Sequence, residues 1–491
     1  MSVDDSLRPR HAVTALILMV SLLAAPAGAA PPARFDPLLA RPPELDKGKI
    51  LPGDDRATGC ATSPFTPGKV LTLVDAVDLA LCHQPQVQAS WAAIKLQSSQ
   101  LGEARAAYLP TLGAGVGQYR ESATSDQGSS KRSIGTLYAT LTWRLLDFGG
   151  RSANQRAADV LLQAASASQD ATLQKAMGNA VGLYYDAHSA RAAQQSRERS
   201  LALARQILEA AIKREQRGVG ALPETLQART FVARAELELA RAIGQYKRSV
   251  VMLAVGLGLL DEAGDVPVIT LSSETEEDPL GLEQNLPGWL QSARQYHPAI
   301  LAARGQVEAA RGQVEAAREK VRVAVADGLP TLDMTASRYI NGRPNQPGSR
   351  GDRDTVVGLN LTIPIFDGFA NGYKVDGAQA QLEMREAELR EVQAQVLGDI
   401  ATTYAEATTA LRSMASARAL LEAAQRSVES VRRKYDTGAA DIVEMLNAQT
   451  ALADAELERI RALGEWRSAR LRLLANAGEM GRVSFTKAAR R

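Results

Sequence analysis

The residues best suited to grip a phosphate are two Gly–Lys pairs, Gly48-Lys49 and Gly68-Lys69. A P-loop needs a Ser or Thr after the Lys to hold Mg2+, but Ile50 and Val70 stand there, so no Walker A motif is present. Metal chemistry finds no better support. His11 falls in an apolar leader, and His83, His188 and His297 lack the spacing of a zinc site; lone histidines on helices read as structural. Arg350-Gly351-Asp352 resembles an integrin-binding tripeptide, though coincidence in a Gly- and Arg-rich loop is the better reading. A formal net charge of +2 gives no reason to invoke nucleic acid. The residues point to no enzyme and no cofactor.

What positions these residues is a frame written twice. Leu109-Pro110-Thr111-Leu112 recurs as Leu329-Pro330-Thr331-Leu332, an offset of 220. At the same offset Leu141-Thr142 meets Leu361-Thr362, Asp147 meets Asp367, Tyr184 meets Tyr404, Gly218 meets Gly438 and Glu224 meets Glu444. Upstream, Pro85 aligns with Pro298, because the heptad at 304–310 (Arg-Gly-Gln-Val-Glu-Ala-Ala) is repeated at 311–317. One added heptad leaves a helix nearly in phase, with about 20° of drift. The chain therefore divides into tandem repeats at 71–260 and 286–480, an acidic linker at 261–285 placed at the waist, and a tail at 481–491.

Arg8 and Arg10, the apolar run from Ala12 to Leu23 and Ala27-Gly28-Ala29 read as a secretory signal peptide over residues 1–30. Cys60 lies too far beyond it to carry a signal-peptidase lipid. Export leaves two alternatives for Cys60 and Cys82, a disulfide or two unpaired thiols. Residues 31–70 are Pro-rich, an extended arm with little regular structure. No later stretch has the roughly 20 apolar residues of a spanning helix.

Hydrophobic residues make up 45% but aromatics only 4%, which suits slender, closely packed helices. Thr72 and Asp75 form a capping box that starts a helix running to about Ala107. Thr136 to Leu145 alternates, with Leu137, Ala139, Leu141, Trp143 and Leu145 on one face, and Val357, Leu359, Leu361, Ile363 and Ile365 repeat the pattern. Their hairpin partners start at Thr111 and Thr331, and polar tips span 122–132 and 342–353. A long helix then runs from about Ser152 to Gln216, where Leu201, Ala204, Leu208 and Ala211 step as in a coiled coil. After a turn at Gly218 another helix ends near Val255. The fold class is mainly α with a small β part, each repeat being helix, β-hairpin, long helix, turn and helix. Four amphipathic strands cannot close alone, and open edges aggregate; about ten residues per strand with one apolar face fits an outer-membrane barrel.

Over residues 71–480 the chain resembles the TolC family of outer-membrane efflux and secretion channels. The repeated helical unit carries the resemblance, together with Trp143-Arg-Leu-Leu-Asp-Phe-Gly-Gly150 and Pro364-Ile-Phe-Asp-Gly368. It implies a homotrimer with a 12-stranded outer-membrane β-barrel, continued by a periplasmic α-helical tunnel. It also implies a periplasmic adaptor (a membrane fusion protein), an inner-membrane ABC transporter and surrounding outer-membrane lipid. The tips Gly218, Val219, Gly220, Gly438 and Ala439 resemble adaptor contacts. Tyr435 and Glu224 match gate residues, although Ala440 stands where relatives have Arg. Glu444 and Asn447 match two constriction rings, two to three turns inside the helix end. Leu141, Trp143, Leu361 and Ile363 belong to the barrel strands. The lack of a lipidated cysteine and the long arm resemble type I secretion of a protein toxin, with an exported polypeptide as cargo. The alternatives are a multidrug efflux channel, or a secreted coiled-coil structural or adaptor protein, though an adaptor's second β-rich module is not visible.

Overall fold

The computed structural model describes residues 38–39, 70–125, 128–259, 269–271, 298–343, 346–347, 351–437 and 439–474. The signal peptide, most of the arm with Cys60, nearly all of the linker, His297, Gly438 and the tail lie outside the described residues. In chain order the first half comprises β1 Val70–Leu71, α1 Leu73–His83, α2 Pro85–Ala106, β2 Thr111–Ser125, β3 Gly128–Leu146, α3 Gly150–Gln216 and α4 Leu222–Gly256. The second comprises β4 Thr270–Leu271, α5 Pro298–Ala326, β5 Thr331–Ile340, β6 Gly342–Arg343, β7 Gln346–Pro347, β8 Arg353–Thr362, α6 Ala370–Asp436 and α7 Ile442–Leu474.

Helices α3 and α6 are each 67 residues long, about 100 Å at 1.5 Å per residue. Helices α2 and α4 pack along α3, α5 and α7 along α6, and α3 also packs on α5 and α7. The columns therefore run α2/α4, α3, α5/α7, α6. They are capped at one end by an antiparallel sheet in the same order, β2–β3–β5–β8. Helix α5 passes through both copies of the duplicated heptad and has 29 residues against 22 in α2.

The capping box at Thr72 forms: its hydroxyl accepts the Asp75 N–H at 3.2 Å, and the Asp75 carboxylate accepts the Thr72 N–H at 3.3 Å. The helix it starts does not run to Ala107 unbroken. Gln84 is extended (φ −64°, ψ 124°), because a proline disfavours the helical region for the residue before it, and Pro85 then opens α2. The first hairpin also exceeds its expected length. Pairing continues from Glu121↔Arg132 to Ser125↔Gly128, so most of the polar tip is strand. In the second hairpin β8 stops at Thr362, so Ile363 and Ile365 lie beyond the strand that the alternation predicts. Pro364 has no N–H to extend the ladder.

Midway along α3, β1 and β4 pair in parallel, Val70↔Thr270 and Leu71↔Leu271. With Ile269 they close over Met177, Ala180, Val181 and Tyr184, and α1 and the end of α4 complete this core. The Tyr184 hydroxyl donates to the Leu71 carbonyl at 3.5 Å. Two-residue strands have no periodicity, so this knot was not legible in the sequence. Cys82, beside it, is disulfide-bonded, and Cys60 is the only other cysteine in the chain.

Candidate functional site

Directly opposed residues in an antiparallel pair share a face, so the registers sort the sheet into two sides. Leu141 opposes Leu112 and Ala336, Leu137 opposes Val116, and Leu332 opposes Leu361. Leu112, Val116, Leu137, Trp143, Val357, Leu359 and Leu361 are all exposed on this side. The other side is polar: Thr140 opposes Gly113 and Ser337, whose hydroxyl donates to the Thr140 Oγ1 at 3.0 Å. Arg144 pairs with Asp333 at 3.0 Å. Tyr138 stacks on Tyr339 with centroids 6.0 Å apart, and its ring lies flat across Gly115. A Cβ there would come within 2.5 Å of the Tyr138 ring, so glycine lets the ring hug the wall.

Each hairpin hands over to its long helix through the same joint. Asp147 Oδ2 accepts the Arg151 N–H at 2.7 Å, and Asp367 Oδ2 accepts the Asn371 N–H at 2.7 Å. Two successive left-handed residues precede each helix, Phe148 and Gly149 (φ 51° and 97°), then Gly368 and Phe369 (φ 68° and 67°). A left-handed Phe costs about 1–3 kcal/mol, which the recurrent carboxylate cap helps to offset. Aromatic rings collect here. The Trp143 indole donates to the Tyr108 carbonyl at 2.9 Å, and Phe366 and Phe369 meet edge to face at 5.3 Å, both exposed.

At the far end of α3, Gly218 takes φ 76°. The N–H groups of Val219 and Gly220 turn back to the Arg214 carbonyl, each at 3.1 Å, a closure that a left-handed glycine permits. The second tip repeats this where described, with the Ala439 N–H on the Lys434 carbonyl at 2.8 Å. The two tips pack side by side through Ala211, Ala228, Ile442, Leu446 and half-buried Tyr435. The Arg214 guanidinium lies 5.2 Å over the Tyr435 ring. Among the described residues of one chain no hydrogen bond joins Tyr435 to Glu224, which sits in the first turn of α4. No sequence signal announced Arg214, whose partner is remote in the chain.

Glu444 is the third residue of α7, not two to three turns inside it, and its N–H is held by the Asp441 carboxylate at 2.8 Å. The Asp-x-x-Glu spacing of Asp441 and Glu444 was the available signal for that helix start. Glu444 and Asn447 are both exposed. Above the tips, Ser196 donates to Glu456 at 2.6 Å and Arg205 pairs with Glu236 at 2.9 Å, tying α3 to α7 and α4.

Comparison with known proteins follows the same lines. Protein CyaE of Bordetella pertussis is 34% identical over 418 residues, covering 84% of this chain and 85% of that protein. Outer membrane efflux protein BepC of Brucella suis is 26% identical over 416 residues, 83% of this chain and 86% of its own length. Among solved structures, the CmeC outer membrane channel of Campylobacter jejuni superposes with a TM-score of 0.69 at 16% identity, covering 90% of this chain and 98% of that one. VceC of Vibrio cholerae does so with a TM-score of 0.64 at 21% identity, covering 83% and 96%. The profile of the outer membrane efflux protein family matches residues 76–259 and 289–479, and the chain belongs to that family.

Proposed function

We propose that three copies stand side by side, so that twelve strands close an outer-membrane barrel and the pooled helices continue it as a tunnel through the periplasm. The observation that carries this is the sheet β2–β3–β5–β8. It exposes an apolar face, and among the described residues nothing pairs with the outer edges of β2 and β8. Four strands are fewer than the eight of the smallest outer-membrane barrels, whereas three sheets joined edge to edge leave no free edge. The aromatic joints sit where such barrels place an interfacial girdle.

The tips at Gly218, Val219, Gly220, Gly438 and Ala439 then meet a periplasmic adaptor carried by an inner-membrane ABC transporter. The chain itself is a passive exit duct, and the exported polypeptide is a protein toxin. Toxin secretion is favoured over drug efflux by the resemblance drawn from the sequence. Multidrug efflux is the second reading, favoured by the similarity to the efflux protein BepC.

Light scattering of detergent-extracted protein should give the mass of three chains; a monodisperse monomer, soluble without detergent, overturns the channel. Deleting the gene separates the cargoes. Toxin secretion requires loss of a polypeptide from the medium, and efflux requires heightened drug sensitivity.

A further inference from the structure

Charge is segregated across the wall. On the polar side two arginines have acidic partners, Arg144 with Asp333 at 3.0 Å and Arg343 with Asp354 at 3.8 Å. On the apolar side stand Arg120, Arg338 and Arg353, all exposed. Among the described residues no carboxylate pairs with any of the three. The register fixes their side: Arg338 opposes Ala139 and Thr355, and Arg353 opposes Ile340. Arg353 is therefore the diagonal neighbour of Arg338 on one face, with Cβ atoms roughly 7 Å apart. Two guanidinium groups so placed repel each other unless an anion lies between them.

Their height is as telling. From Leu361 to Arg353 is eight residues of β8, about 26 Å along a strand at 3.3 Å per residue, or roughly 20 Å of elevation at a barrel tilt near 40°. Leu361, Leu359 and Val357 fill the interval on the same face, all exposed. The arginines thus top the apolar band at its rim, on the end of the sheet remote from the helices.

We propose that Arg338 and Arg353 bind the phosphomonoester groups of glycolipid in the outer leaflet around the barrel. The inference rests on the reading that the apolar face meets lipid. A phosphomonoester suits the pair because it carries up to two charges and three oxygens, and two guanidinium forks can each take two of these in parallel. A zwitterionic phosphodiester headgroup offers one charge already balanced by its own amine.

The test uses full-length protein in phosphatidylcholine vesicles containing either bisphosphorylated lipid A or the same lipid after enzymatic dephosphorylation, with lipid retained per protein measured after re-extraction. Wild-type protein should retain the phosphorylated form at least ten-fold better. Arg338→Gln/Arg353→Gln should abolish the preference, and Arg338→Lys/Arg353→Lys should keep most of it. Equal retention of both lipids by wild type overturns the proposal, as does a preference that survives the double glutamine variant. If that variant fails to insert, the wild-type comparison and the single Arg353→Gln variant decide. Wild-type protein that enters no vesicle overturns the barrel reading and this inference with it. Insertion without phosphate preference overturns this inference alone.

Discussion

His188 stacks on Tyr184 at 4.8 Å between centroids. Burial first, then the nearby Arg191 and Arg467, push its pKa from 6.5 to about 4. Well above pH 6.5 the ring is neutral whether the chain is folded or not, so it adds no pH dependence there. Between pH 6.5 and 4 the unfolded chain takes up a proton that the folded chain refuses, and stability falls by about 2 kcal/mol per chain by pH 5. Thermal melts at pH 7 and pH 5 should show that loss in wild type, and His188→Gln should remove most of it. Parallel pH slopes in the two proteins would mean that the imidazole is solvated. Glu444 acts at the same scale. Three copies around a threefold axis would attract cations, so Glu444→Gln should lower cation selectivity and multivalent block in bilayer recordings. Its place in the first turn of α7 sets a stability cost of about 0.3–1 kcal/mol. Unchanged selectivity would remove the ring.

Among the strands, the register decides which substitutions matter. Leu141 is on the apolar side and Thr140 on the polar side, so Leu141→Arg should cost about 2–4 kcal/mol of insertion if it lies at the midplane, while Thr140→Arg is tolerated. Folding into lipid vesicles, followed by heat-modified gel mobility, checks this; equal effects would refute the register. At the tips, Arg214 meets the face of Tyr435 and not its hydroxyl. Tyr435→Phe should therefore leave conductance unchanged, and Arg214→Ala should raise it. A several-fold jump in Tyr435→Phe would reveal a hydroxyl bond between copies.

The coiled-coil helices were legible because Leu201, Ala204 and Ala211 repeat at heptad spacing and are indeed buried. The outer end of the first hairpin was not, since Ser and Thr pair through their backbones without leaving a periodic trace. The tip contact of Arg214 with Tyr435 joins residues far apart in sequence, which no local pattern encodes.

For the whole molecule, the duplicated heptad is a natural experiment in length. Deleting residues 304–310 should leave α5 within about 20° of its present phase, and the protein should extract with unchanged oligomeric mass. Deleting only residues 304–306 turns the upstream segment by about 60° at 100° per residue and should weaken or abolish assembly, read on the same column.

The extra heptad also sets how anything could grip the assembly from outside. Helices α2 and α5 end together at the sheet, but α5 is longer by seven residues, so Pro298 lies about 10 Å farther from the membrane than Pro85. Around three copies the shoulders of the rod would alternate high and low, like the merlons of a crown. A collar seated there would find three equivalent footholds and not six, so its stoichiometry would be three, or six in two distinct poses.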